Sequence, residues 1–312
     1  MISSAHKPLP LKSGVAASYI WVPANTQVSL LEFLTQQFPE VTPQAWLTRI
    51  QQQEVCDQTG RALGATEPVR RGQCIYYYRE LENEAIIPFQ EQIVFENEHL
   101  LVADKPHFLP VTPAGRYLRE TLLCRLRHRT GNAELTPLHR LDRETAGLVL
   151  FAKQASDRGA YQALFRDEAI DKTYHAIAPD LSELSFPLEK QSRLEAADEF
   201  FLTREVAGPA NSHTIIDKLA VRAGWALYEL RPSTGKKHQL RVHMASLGAP
   251  LLHDGFYPIA QAAGSDDFTK PLQLLAKRLR FRDPLSQVWR EFESLQNLTL
   301  PSPAAVTSSS IS

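Results

Sequence analysis

Short strand-forming segments recur through the last two thirds of this chain, and they restrict its fold more than any other feature. "LLVADKP" at 100–106, "LVLFAK" at 148–153, "KTYHAIAP" at 172–179, "SHTIIDKLAV" at 212–221 and "WALYELRP" at 225–232 are rich in β-branched and aromatic residues and end in turn formers. Amphipathic stretches interrupt them: "YLRETLLCRLRHRTG", closing at Gly131, and a segment from about Gln154 to Arg166. This order predicts a sheet with helices packed on it, and by itself it allows more than one fold class. With 312 residues, 43% of them hydrophobic, the chain can build one large domain and a small one.

The small one is expected first. "VSLLEFLTQQF" has helical apolar spacing, "TPQAWLTRIQQ" opens with a Thr cap and a Pro in its first turn, and "GQCIYYYRE" reads as a strand. The polar stretch "RELENEAIIPFQEQ" then places a boundary near 80–90. The Pro/Ser/Ala-rich ends, 1–25 and 298–312, are expected to be flexible tails around a module at 26–82 and a catalytic domain at 88–297. No apolar run reaches the roughly 20 residues of a membrane span, and the N-terminus does not read as a secretion signal. A soluble, cytoplasmic protein, acting as a monomer, is expected. Cys56, Cys74 and Cys124 are widely spaced and read as ordinary thiols, without the clustering a zinc site needs.

A formal charge of −1 does not by itself favour nucleic acid, but the distribution is uneven. Arg231, Lys236, Lys237 and Arg241 lie in a stretch without acids, and "KRLRFR" at 277–282 adds a second cluster. In "STGKKHQLRVHMASLG", Ser233 or Thr234 is expected to cap a helix ending near Gly248, with Arg241 directed inward at a carboxylate. Asp142, in "HRLDRETAGL", sits on a turn before a strand. Taken alone it reads equally as a cap or as an ion-pair partner of Arg140 or Arg143.

Four blocks together carry a resemblance. "HRLDRETAGLVLFAK" at 139–153, "DKTYHAI" at 171–177, "RPSTGKKHQLRVHMASLGAPLLHDGFY" at 231–257 and "LQLLAKRLRFRDP" at 272–284 resemble, in order and spacing, the RluA-type RNA pseudouridine synthases. "EQIVFENEHLLVADKP" at 91–106 resembles that family's opening strands, and the N-terminal module more faintly resembles an S4 RNA-binding domain. The resemblance implies an α+β fold: a mixed, largely antiparallel central sheet with flanking helices, plus a small N-terminal α/β S4-like module. It implies an isomerase that detaches uracil from C1′ of a uridine in structured RNA, turns it and rejoins it through C5. Ribosomal RNA is favoured over transfer RNA on the strength of the S4-like segment.

Residue by residue, the resemblance assigns Asp142 as the catalytic carboxylate, Arg241 as its partner and Tyr174 as the residue that stacks on the base and is placed for proton removal at C5. It assigns Arg140 to the gap left by the flipped base and Leu240 to an apolar wall. Lys172, Lys236 and Lys237 are expected to contact RNA, whereas His139 is expected to be structural. Neither metal nor organic cofactor is implied, the reaction being redox-neutral. Ala146, His253 ahead of Asp254 where a Gly-Asp pair is usual, and Leu275 depart from the family's usual residues and bear on substrate more than on chemistry. Two other readings exist: an RNA-binding or folding factor with an inactive pocket, and a carboxylate-dependent hydrolase of a sugar bond. The second wants another acid paired with Asp142 across the bond, and no motif nominates one.

Overall fold

The computed structural model describes residues 8–24, 26–81, 83–199, 201–261 and 266–302. They form two compact units: residues 1–86 with 112–135, and residues 87–111 with 136–312.

The small unit contains β1 (Ser18–Trp21), α1 (Leu30–Gln37), α2 (Pro43–Gln51), β2 (Val55–Asp57), β3 (Cys74–Tyr77) and α3 (Leu122–Thr130). The two expected helices start where side chains can satisfy their free N–H groups. Ser29 and Glu32 form a capping box on α1, and Thr42 accepts from the Ala45 N–H ahead of α2. Their apolar faces bring Leu30, Phe33, Leu34 and Trp46 against Val55, Ile75 and Tyr77. Two expectations are corrected here. Residues 18–21 of the supposed N-terminal tail form a strand paired antiparallel with β3, while 1–7 and 25 lie outside the described residues. Residues 112–135 group with the small unit and not with the catalytic domain drawn over 88–297. α3 also starts later than its amphipathic pattern suggests, because Thr121 accepts the Cys124 N–H and sets the first turn. Of the expected C-terminal tail, 303–312 lie outside the described residues.

The large unit holds β4 (Gln92–Glu96), β5 (Leu100–Lys105), β6 (Thr136–Pro137), β7 (Ala146–Ala152), α4 (Arg158–Arg166), β8 (Ile170–Pro179), β9 (Leu188–Ala196), β10 (Thr203–Val206), β11 (Ser212–Arg222), β12 (Trp225–Pro232), α5 (Gln239–Ser246), β13 (Leu274–Arg282) and β14 (Trp289–Glu293). The main path of the sheet runs β10-β9-β11-β12-β8-β13-β7-β5-β4, with β14 added on β13 and β6 on β7. Only β7 and β13 pair in parallel, so the fold is a mixed, mostly antiparallel α+β sheet. β5 and β7 are buried at every position, which explains their unbroken apolar reading. Where β7 begins, Gly147 has φ +111°, and a Cβ there would lie 2.3 Å from the Ala276 carbonyl oxygen. Only glycine lets the chain leave the Asp142 turn this close to β13.

Tyr161 and Leu164 of α4 pack with Leu100, Leu150, Phe281 and Phe292. Leu240 and Met244 of α5 pack with Tyr228, Leu230 and Leu274. Each such side chain, fully buried, contributes about 1.5–3 kcal/mol, so the sheet holds both helices firmly. Among the described residues no helix is long and apolar enough to cross a membrane.

Candidate active site

A pocket of about 680 Å³ opens beside β8, α5 and the turn before β7. Asp142, Tyr174, Arg241, Arg140, Leu240, Lys172, Lys236 and Lys237, all singled out from the sequence, line it together.

The turn carrying Asp142 closes with the Thr145 N–H donating to the Asp142 carbonyl at 3.1 Å. Two side chains, one buried and one half-buried, hold the carbonyls that follow. Lys105, fully buried at the end of β5, donates to the carbonyls of Pro106, Leu109 and Arg143 at 3.0, 2.8 and 3.0 Å. Burial lowers its pKa to about 7, against the opposing charges of Glu144 and Asp142. His107 Nδ1 lies 2.7 Å from the Glu144 carbonyl, and burial pulls its pKa to about 4, so a neutral ring donates there. Arg143 turns away to Asp266, with two contacts of 2.8 Å, and Arg140 is exposed without an ion pair among the described residues. Neither neighbouring arginine is therefore the partner of Asp142.

Arg241 is the arginine that approaches Asp142. Its Nη1 is 3.5 Å from Asp142 Oδ2. The tighter pair is with Asp254: Nε donates to Oδ2 at 2.9 Å and Nη2 to Oδ1 at 2.6 Å, with both side chains at 1% exposure or less. The N–H groups of Phe256 and Tyr257 also donate to Asp254 Oδ1. Burial opposes the guanidinium charge, but the hydrogen bonds and charge of Asp254, then the charges of Asp142 and Glu144, outweigh it and raise the Arg241 pKa above its ordinary value. A fork clamped on one carboxylate presents its remaining nitrogen to another with little freedom.

His238 also approaches Asp142, with Nε2 3.7 Å from Oδ2. Tyr174 stands on β8, and its phenol pKa is raised by burial first and by the Asp142 charge second. The phenol is protonated at neutral pH. Leu240 and Leu274 supply apolar wall, and His139, stacked on Phe165 at 4.6 Å, accepts the Leu150 N–H at Nε2. Burial lowers its pKa to about 3, which fits the structural role expected of it.

The rim differs from expectation. Neither Ser233 nor Thr234 caps the helix: α5 starts at Gln239, with His238 in the left-handed region at φ +55° before it. Thr234 instead donates to Gln239 Oε1, whose amide also takes the Lys236 N–H and donates to Thr214 Oγ1. Lys172 donates to the carbonyls of Thr234 at 3.0 Å and Ser233 at 3.5 Å, so it ties this loop down as well as lining the pocket. Lys237 lies before the helix and not on the Arg241 face of it, and both Lys236 and Lys237 are exposed. The second basic cluster lies elsewhere. Arg280 pairs in register with Asp171, on the face of the sheet opposite Lys172 and Tyr174, and Arg278 and Arg280 approach Glu291 at 3.7 and 4.0 Å.

Asp254, His238, Lys105 and His107 were not nominated from sequence. One signal was visible: Asp104 and Lys105 are charges ending an otherwise apolar buried strand. Among the described residues no group of three or more His, Cys, Asp or Glu is arranged to hold a metal.

Asp142, the buried Arg241 and Tyr174 thus share one pocket on a mixed sheet, the grouping that the resemblance to pseudouridine synthases implies. The comparisons agree. The family model for RNA pseudouridylate synthase matches residues 99–246. The chain is 32% identical over 238 residues to an uncharacterized RNA pseudouridine synthase of Synechocystis, covering 73% of this chain and 79% of that protein. It is also 32% identical over 218 residues to the dual-specificity RNA pseudouridine synthase RluA of Pasteurella multocida, covering 65% of this chain and 91% of that one. The solved structure of human RNA pseudouridylate synthase domain containing 4 superposes with a TM-score of 0.52 at 25% identity, covering 67% and 88% of the two chains. The chain belongs to the RluA-type RNA pseudouridine synthases and is an isomerase.

Proposed function

We propose that the protein isomerises specific uridines in structured RNA, ribosomal ahead of transfer RNA, with Asp142 as the reacting carboxylate. The observation that carries this is the position of Asp142: on a turn pinned from behind, beside a buried guanidinium and facing Tyr174 in one pocket. The target base must leave the RNA stack to reach that pocket, and exposed Arg140 at its mouth is placed to fill the gap. Lys236 and Lys237 then meet the backbone phosphates.

Asp142 acts at the ribose while the uracil is detached and turned. Tyr174 packs against the base. Once C1′ has joined C5, Tyr174 can take the C5 proton only as a phenolate, so its own proton must first pass to another base; burial and the Asp142 charge both oppose that ionisation. The small unit, with its own apolar core, is read as the S4-like RNA-binding module and supports a large folded RNA as substrate. The protein is proposed to work as a cytoplasmic monomer.

The test uses RNA tritiated at uridine C5. Wild type releases label, and Asp142→Asn, nearly isosteric, releases it at least roughly a thousandfold more slowly while keeping its melting temperature. Release by Asp142→Asn at the wild-type rate ends this reading. Free uracil among the products would point to a hydrolase. Mapping pseudouridines in ribosomal and transfer RNA from cells with and without the protein identifies the substrate.

A further inference from the structure

Asp142 has two oxygens, and the structure treats them differently. Arg241 Nη1 at 3.5 Å and His238 Nε2 at 3.7 Å both approach Oδ2. Oδ1 has no hydrogen bond or ion pair among the described residues.

The proton on His238 can be placed from its other nitrogen. The Thr203 N–H donates to the Tyr257 hydroxyl oxygen at 2.9 Å. That hydroxyl lies 2.8 Å from His238 Nδ1. Donation of the phenol proton to Nδ1 satisfies both groups and leaves the neutral imidazole with its hydrogen on Nε2. Burial, the largest effect on this ring, keeps it neutral, against the attraction of Asp142. The left-handed backbone at His238 and its contact with the Phe256 ring, at 5.7 Å, hold the imidazole in this direction.

We propose that His238 is a positioning residue for the reaction: its Nε2–H, beside the Arg241 guanidinium, holds Oδ2 of Asp142 and leaves Oδ1 as the oxygen that meets the ribose. This rests on the reading of Asp142 as the reacting carboxylate. At 3.7 Å the approach is longer than a hydrogen bond, and catalytic contacts of this kind commonly tighten only in the complex with substrate. The other charged or titratable groups around Asp142 are Glu144 on its own turn, Lys105 from β5, Tyr174 from β8 and Lys237 before α5, with Asp254 behind Arg241.

The experiment compares His238→Phe, which keeps a ring but no donor, with His238→Gln, which returns an N–H near the position of Nε2. With C5-tritiated RNA, His238→Phe is expected to lower kcat about tenfold with KM little changed, the scale of one hydrogen bond to a charged group lost at the transition state. His238→Gln is expected to recover most of that loss. Wild-type kcat in His238→Phe, or equal losses in both variants, overturns the proposal. Nitrogen NMR of the resting wild-type protein at neutral pH is expected to show the Nε2-protonated neutral ring, with a proton resonance that moves in Asp142→Asn. The Nδ1 tautomer, or a resonance indifferent to Asp142→Asn, overturns it whether or not RNA turns over. Absence of tritium release by wild type from every RNA defeats the functional reading instead, and the NMR result still decides the contact.

Discussion

The two units are stabilised by different kinds of burial. The small unit packs Leu30, Phe33, Leu34, Trp46 and Ile75 into an apolar core under two side-chain-capped helices. The large unit has apolar cores too, but around its pocket it buries Lys105, His238, Arg241 and Asp254, with His107 half-buried beside them. Each of those polar groups is hydrogen-bonded within the unit. Apolar packing is tolerant of shape but does not aim atoms, whereas a satisfied polar network is directional and fragile. The difference teaches where this chain needs accuracy.

The largest effect should come from orphaning Arg241. Asp254→Ala leaves a buried guanidinium without its main partner, which typically costs about 3–5 kcal/mol. It should also lower tritium release, because Arg241 swings from Asp142. Denaturant unfolding of the variant at unchanged m-value measures the first effect, and near-normal stability would show that water replaces Asp254. Trp46→Ala tests the other unit. Removing a fully buried indole there costs roughly 3–4 kcal/mol and should melt the small unit while isomerisation of a short model substrate by the large unit persists. Loss of both together would erase the distinction between the units.

Acid titration separates them more gently. The pKa values of His107, His139 and His243 are lowered by burial from 6.5 to about 4, 3 and 4. The unfolded chain takes up protons below 6.5 that the folded large unit refuses, so its stability falls as pH drops from 6.5 toward 4. In the small unit the shifted acids are Glu32, Asp57, Glu67, Glu80 and Glu84, whose folded pKa values are lowered from 3.8 or 4.5. Their contribution is present above those values and is lost only as pH falls further. Calorimetry across this range should show the large unit weakening first; simultaneous weakening would contradict it. The smallest effect is Ser29→Ala, which removes the α1 cap at about 1 kcal/mol. A small-unit melting temperature lowered by a few degrees, with activity unchanged, is the expected result.

Much of this was legible beforehand because it is local or periodic. The capped helices α1 and α2 follow from Ser29, Glu32, Thr42 and Pro43 standing before apolar spacing. The linked blocks around Asp142, Tyr174 and Arg241 nominated eight residues that line one pocket. Less legible were β1, because a four-residue edge strand in a Pro- and Ser-rich stretch has little pattern, and the start of α5, because a left-handed His238 has no residue signature. The grouping of 112–135 with the small unit was not legible either.

By itself, then, the sequence determined the sheet-rich large unit and the helical small one, since periodicity and caps are properties of neighbouring residues, while Asp142 was singled out only through the resemblance. Only the tertiary structure decided the company Asp142 keeps. Arg241 is shared with Asp254, His238 turns its Nε2 toward Oδ2, and Lys105 and His107 hold the turn from behind. Those contacts join groups tens of residues apart through directional hydrogen bonds made only after the strands have found their register, and no local pattern encodes a distance of that kind.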